Sequence, residues 1–338
     1  MIRIARGAEP ESLRKSRYVH LARARLAVKA GQKPSCDGGY SVARNSLFET
    51  QNAKCAYCEM LQLSASHPVE HFRPKAKAIR GDGSESPGYW WLAWTWDNLL
   101  FSCGTCNGMN RKGNHFGLES GSTPLVAHEQ PPAGEISSLL TPFGGEDPID
   151  HIIFRKLSRW QPFPRNGSSR GKYTIAKLGL DDGPLLDHYE SHVTRIVQPP
   201  LGLFRGVIRK QDPVEITRAW RRLVRMLFGL KMPFQALSYD VVDFSIDLTV
   251  RQQWRLELPR PGSKHSTTAP SQEHKPDGLE MLSPDLALEV CALGLSPGEK
   301  RLSVLKAVRV EQPTWTIEQL AKLFEVLPKT IYADLAQL

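Results

Sequence analysis

Cys55-Ala56-Tyr57-Cys58 and Cys103-Gly104-Thr105-Cys106 are the two stretches on which the reading of this chain turns. Each spaces two cysteines by two residues, so one tight turn aims both sulfurs at a common point. Two such turns supply the four thiolates of a tetrahedral zinc site. Gly104 suits a turn of that kind. Four sulfurs leave zinc no open position for water. The expected Zn2+ is therefore structural and contributes folding free energy directly. The competing readings are two redox-active pairs or buried free thiols. A redox C-x2-C motif belongs to a βαβ context, which the flanking sequence does not offer. Cys36 and Cys291 lie at no ligand spacing and are expected buried or at neutral surface positions.

Between and after the knuckles stand three polar runs: Val69-Glu70-His71-Phe72-Arg73-Pro74-Lys75, then Trp96-Asp97-Asn98-Leu99-Leu100-Phe101-Ser102, then Cys106-Asn107-Gly108-Met109-Asn110-Arg111-Lys112-Gly113-Asn114. In this order, inside a four-cysteine frame, they resemble the HNH nuclease family. The resemblance is tight over residues 52–118 and implies a two-stranded hairpin followed by a helix, the ββα-metal fold. Phosphodiester hydrolysis needs a base that titrates near neutrality and a cation for the charge that develops. By the resemblance, His71 is the general base and Asn98 orients it. Glu70 and Asn107 hold a divalent ion, magnesium or manganese, which hard oxygen donors favour. Adjacent strand residues leave by opposite faces, so Glu70 and His71 share these roles only where the strand is bent or bulged. Glu70 stands where many members have Asp or His, and Arg111 where some have a further His. Asn114 and His115 are alternative ligands. Arg73, Lys75, Arg111 and Lys112, with Lys77 and Arg80, are expected to meet phosphates. Trp90, Trp91, Trp94 and Trp96 are expected mostly as core, with one free to stack on a base.

The likeness extends beyond the nuclease motif. Ile2-Arg3-Ile4-Ala5-Arg6-Gly7-Ala8-Glu9-Pro10, Tyr89-Trp90-Trp91-Leu92-Ala93-Trp94, Lys112-Gly113-Asn114-His115-Phe116 and Thr174-Ile175-Ala176-Lys177-Leu178-Gly179-Leu180 are similar to the PtuB-like HNH component of Septu and related retron defence systems. That resemblance, over residues 1–240, implies an antiphage effector working beside an ABC or SMC-like ATPase.

The rest of the chain sets bounds. Its 338 residues carry a formal net charge of +9, and 41% are hydrophobic. A core is within reach, and the basic surplus suits a phosphate-bearing partner, or a ribosome-associated or merely basic soluble protein. For the nuclease that the resemblance implies, DNA is the expected substrate and RNA the alternative. The opening residues lack an apolar leader, and no stretch approaches a membrane span. A cytoplasmic setting with reduced thiols is expected.

The predicted architecture is α+β: an HNH core in a mainly helical protein. Its parts are a basic helical segment (1–45), the nuclease core (46–120), a helical accessory region (121–258) opening on a Pro- and Gly-rich surface connection (121–150), a flexible linker (259–279) and a helical, helix-turn-helix-like module (280–338). Within the accessory region Ile152–Phe154 reads as a strand, and Gly171–Leu180 and Leu185–Val197 as helices. Val214–Phe228 is an amphipathic helix with Ile216, Trp220, Leu223, Val224 and Leu227 on one face. Arg218, Arg221, Arg222 and Arg225 on the other are a solvated face or a phosphate-tracking strip. In the C-terminal module Thr316 and Gln319 form a capping-box pattern. A zinc-dependent binding module without turnover is the rival to the enzyme.

Overall fold

The structure is a computed structural model and describes residues 1–157, 159–262, 278–292 and 298–338. Most of the linker expected over 259–279, residues 263–277, lies outside them.

In chain order the helices are α1 (Glu11–Lys29), α2 (Arg44–Thr50), α3 (Ser169–Leu178), α4 (Gly183–His192), α5 (Gln198–Ile208), α6 (Pro213–Leu227), α7 (Gln235–Ser245), α8 (Leu248–Gln253), α9 (Pro284–Ala292), α10 (Gly298–Glu311), α11 (Ile317–Leu323) and α12 (Pro328–Leu335). The strands are β1 (Val69–His71), β2 (Lys77–Ile79), β3 (Glu85–Pro87), β4 (Leu99–Phe101), β5 (Ile152–Lys156) and β6 (Trp160–Pro164). They form antiparallel pairs β1–β4, β2–β3 and β5–β6. Helices and small sheets mix, as expected. Among the described residues no helix is long and apolar enough to cross a membrane.

The chain divides into two compact units. The first gathers residues 1–8, 43–89 and 97–267. The long helices here follow their local signals. Asp212 caps α6 by accepting from Val214 N and Glu215 N, Pro213 opens it without needing a donor, and Ile216, Trp220, Leu223 and Leu227 bury one stripe. Ser168 caps α3, and Gly179 ends it in the left-handed region, φ 58°. The expected helix over Leu185–Val197 is α4 continued by a π turn. There Gln198 N reaches back to Val193 O just before Pro199 and Pro200, which carry no N–H to bond Arg195 O and Ile196 O in the ordinary way. The strand expected at Ile152–Phe154 is β5, paired with β6.

The surface connection expected over 121–150 differs in part. Leu125, Glu135, Leu139 and Leu140 are buried. Glu135 is what draws the segment in: its carboxylate accepts from Arg73 Nε (2.7 Å), the Tyr89 hydroxyl (2.5 Å) and Leu125 N (3.1 Å).

The second unit gathers residues 9–42, 90–96 and 268–338. Leu282, Leu286, Val304, Leu305, Val308, Leu320 and Ile331 form its core together with Ala22 of α1. α1 packs against α9. The expected N-terminal segment and C-terminal module are thus one folded body, because the apolar stripe of α1 finds its partner at the far end of the chain. Trp94 is wholly buried here, donating from Nε1 to Gly38 O (3.0 Å) and stacking on His20. The capping box at Thr316 and Gln319 forms as read. On α12, Asp334 is buried and ion-paired with Arg301 (2.6 Å).

Candidate functional site

The four cysteines meet. Cys55, Cys58, Cys103 and Cys106 are buried, and their sulfurs all lie within 4.8 Å of one another. A zinc tetrahedron with Zn–S near 2.3 Å has edges of about 3.8 Å; the Cys58–Cys103 separation is 3.9 Å. Backbone N–H groups already point at the sulfurs, Cys103 N to Cys55 Sγ at 3.3 Å and Cys106 N to Cys103 Sγ at 3.5 Å. The sulfurs titrate as one unit. Against the pull of burial, hydrogen bonds from the other three hold Cys55 well below the usual thiol value. Hydrogen bonding to Cys106 draws Cys103 down, while hydrogen bonds to Cys103 push Cys58 and Cys106 well up. The donor set, its spacing and its inward amides fit a structural zinc ion.

The knuckles are tied to the strand pair by the backbone. β4 runs through Ser102 into Cys103, and Phe101 O accepts from Ala56 N (3.1 Å) and Gln51 Nε2 (2.7 Å). β1 lies alongside in regular register, Glu70 opposite Leu100 and His71 opposite Leu99. Two residues far apart in sequence, His71 and Asn98, are thereby brought to one end of the ladder. Asn98 is buried and clamps the turn after His71. Its Oδ1 accepts from Arg73 N (2.7 Å), its Nδ2 donates to Arg73 O (3.0 Å), and its carbonyl accepts from Phe72 N (2.9 Å). His71 is itself buried, 7% exposed.

The remaining expected residues fall differently. The ladder over 69–71 has no bulge, so Glu70 and His71 leave by opposite faces. Glu70 faces Tyr57, whose hydroxyl donates to it at 3.4 Å, and Lys112, whose ammonium stands 3.2 Å away. Lys112 was expected to meet phosphate; instead it is wholly buried and also donates to His71 O (3.2 Å) and Gly113 O (3.3 Å). Burial raises the Glu70 pKa and lowers that of Lys112, each opposed by the other's charge. Arg73 pairs with buried Glu135, and Arg111 pairs with Asp182. Lys75 is half-buried.

The helix expected at Asn107 is a run of turns. Asn107 N donates to Cys103 O (3.0 Å) and Lys112 N reaches Cys106 O (3.1 Å), while Gly113 sits at φ 36° with Met109 pressed against it. Gly104, Gly108 and Gly113 favour turns over helix. The Asn107 amide makes no hydrogen bond among the described residues, and it is half-buried. A divalent ion on Glu70 and Asn107 does not fit these residues as they stand, because an ammonium fills the cation's place. Asn114 is exposed, and His115 is half-buried with Nδ1 unpartnered.

Sequence reasoning missed Tyr57, Glu59 and Glu135. Tyr57 sits between the first two cysteines and could have been suspected from that position. Glu59, next to Cys58, accepts from Gln235 N (2.7 Å) and so ties the knuckle to the first turn of α7. Glu135 lies in a Pro- and Gly-rich run with no local pattern to mark it.

Geometry of this kind defines a four-cysteine double-knuckle protein, with a short strand pair running into a cysteine cluster that could hold a zinc ion. Over 141 residues the chain is 37% identical to the Septu protein PtuB of Bacillus mycoides (strain KBAB4), and across that stretch it is a PtuB homologue. The matched stretch is 40% of this chain and 46% of that protein, so about half the relative's length is spanned. No family model and no solved structure matches the chain.

Proposed function

We propose that the chain is an HNH-type endonuclease that hydrolyses phosphodiester bonds in DNA. Its setting in this reading is antiphage defence beside an ABC or SMC-like ATPase. The observation that supports the chemistry is that β1–β4 pairing sets His71 opposite Leu99, the residue after Asn98, on a strand that leads into Cys103. The setting is supported by the similarity to Septu protein PtuB.

The chain's own residues supply the following. Zinc on the four thiolates folds the knuckles and so fixes β4. Asn98 pins the backbone on the C-terminal side of His71. His71 accepts a proton from water as the water oxygen attacks phosphorus and the bond to the departing sugar oxygen breaks. Glu70 and Asn107 would hold magnesium or manganese only after Glu70 leaves Lys112, and such an ion would supply charge stabilisation at the phosphoryl oxygens.

Nicking of supercoiled plasmid by the purified chain, with magnesium or manganese, tests this beside His71→Ala. Each protein should carry about one zinc, as a four-thiolate site requires. Loss of a positioned base costs about 10²–10⁴-fold in rate. Cutting of RNA in place of DNA would favour an RNA nuclease. A second reading, a zinc-dependent binding module without turnover, is favoured by the burial of Glu70 and His71 and by the Lys112 pair. Cutting that is unchanged in His71→Ala, or absent on both substrates, would overturn the catalytic reading.

A further inference from the structure

Within the first unit, the arginine face of α6 is exposed but not flat. It is the shared wall of two recesses, of about 1460 and 790 Å3, which have Thr217, Arg221 and Arg225 in common. Arg3 and Arg6 enter the larger one from the N-terminal segment, Lys54 from the turn before Cys55, and Arg255 and Arg260 from the segment after α8. Lys54 is buried with its ammonium on Met232 O (3.3 Å), and Arg6 is engaged by Leu99 O and Asp97, so the exposed cations of the concavity come from α6 and the segment after α8; Glu257 is the one carboxylate among its lining residues. Arg218 is paired with Glu215, and Arg260 with Asp150. Arg221, Arg222, Arg225 and Arg255 are exposed and enter no ion pair among the described residues.

Three physical points say what such a groove takes. Guanidinium groups present a planar fork that matches phosphate oxygens, and exposed arginines keep their charge at any working pH. Together the two recesses exceed the roughly 300–1,000 Å3 typical of a small-molecule pocket. Along α6 the step from Arg218 to Arg225 is about 10 Å, at 1.5 Å per residue. A duplex strand presents a phosphate every 3.4 Å or so of helix axis, so about three lie over that run. We infer that this groove binds the phosphodiester backbone of a nucleic acid, apart from the strand pair that carries His71.

The groove is built onto the back of the knuckles. Gln51 lines it and bonds both polar atoms of the Phe101 backbone, and Arg6 lines it and donates to Leu99 O (2.7 Å), the carbonyl of the residue opposite His71. A backbone seated there lies against the far edge of the strand pair.

The test is anisotropy of a fluorescein-labelled DNA duplex, and of its single strand, with the full chain at several salt concentrations and no added magnesium. Binding read this way scores the groove whether or not the chain cuts, so failure here and failure of the nuclease reading are separate results. The variant is Arg221→Glu/Arg225→Glu/Arg255→Glu. The control reverses the same amount of charge on the exposed side of the other unit, Arg23→Glu/Lys29→Glu/Lys33→Glu. All three proteins should match in zinc content and circular dichroism. Expected is a loss of about tenfold or more in affinity for the groove variant alone, with a salt-dependence slope smaller by about two to three. Equal losses in both variants, no loss in either, or no binding by the parent chain would overturn the inference. So would displacement of the DNA by inorganic phosphate at equal phosphate concentration, which would mark a site for small anions.

Discussion

Lys112 is the residue whose place changes the reading most. A lysine in a run with Arg111 reads from sequence as a phosphate contact. The sequence could not show that the turns after Cys106 fold it inward onto Glu70. The pair is desolvated on both sides, 0% and 5% exposed at the side chains. Removing one partner of such a pair strands a buried charge, at a cost of about 3–5 kcal/mol. Lys112→Met is expected to lower the denaturation midpoint strongly, Glu70→Gln to lower it less, and Lys112→Met with Glu70→Gln to recover most of the loss. Denaturant unfolding of the three variants measures the coupling. Additive losses in the double variant would show that the two side chains do not act as a pair. By contrast, the cysteines were fully legible, because ligand spacing within each turn is a local property. The same holds for Thr316 and Gln319, whose capping box is written in four residues.

Helices with an apolar period were readable to within about two residues at each end: α6, expected over Val214–Phe228, runs from Pro213 to Leu227 behind its Asp212 cap, and α3, expected over Gly171–Leu180, runs from Ser169 to Leu178 because Ser168 caps it and Gly179 ends it. The elements around the cysteine cluster were not. β1 and β4 are three residues long and pair across an excursion that holds the β2–β3 hairpin and the Trp90–Trp96 run. Nothing in the three residues of either strand announces so distant a partner. The segment after Cys106 was expected to be helical by resemblance, and its glycines make it turns. Short elements of this sort hold little free energy of their own, so the cysteine cluster must supply it. Chelation of zinc is therefore expected to abolish the β1–β4 pairing, and with it protection of the Leu99–Phe101 amides in hydrogen exchange, before α3 to α7 melt. Equal protection in the zinc-loaded and zinc-stripped chain would show the strand pair to be stable without the metal. Glu59 makes the reverse link, carrying the knuckle's position to the N-terminus of α7.

The chain's division into bodies ran against the linear order that sequence suggests. Composition placed boundaries near residues 45 and 280, yet α1 and α9 to α12 enclose one core. Linear reading fails here because an apolar stripe states only that it needs cover, never from where. Leu286, on α9, is 5% exposed within that core. Leu286→Ala should cost about 2–5 kcal/mol and speed amide exchange in α1 together with α10 to α12. Unchanged exchange in α1 would mean that it stands independently of the C-terminal helices.

The same closure of α1 by α9 has a bearing on how the protein comes into being. During translation Glu11–Lys29 is made early and its partner late. At about 5–20 residues per second, roughly 15–50 s pass before α9 is available. For that interval the side of α1 around Ala22 is apolar surface on a nascent chain, a natural landing place for chaperones and a point of vulnerability whenever synthesis stalls.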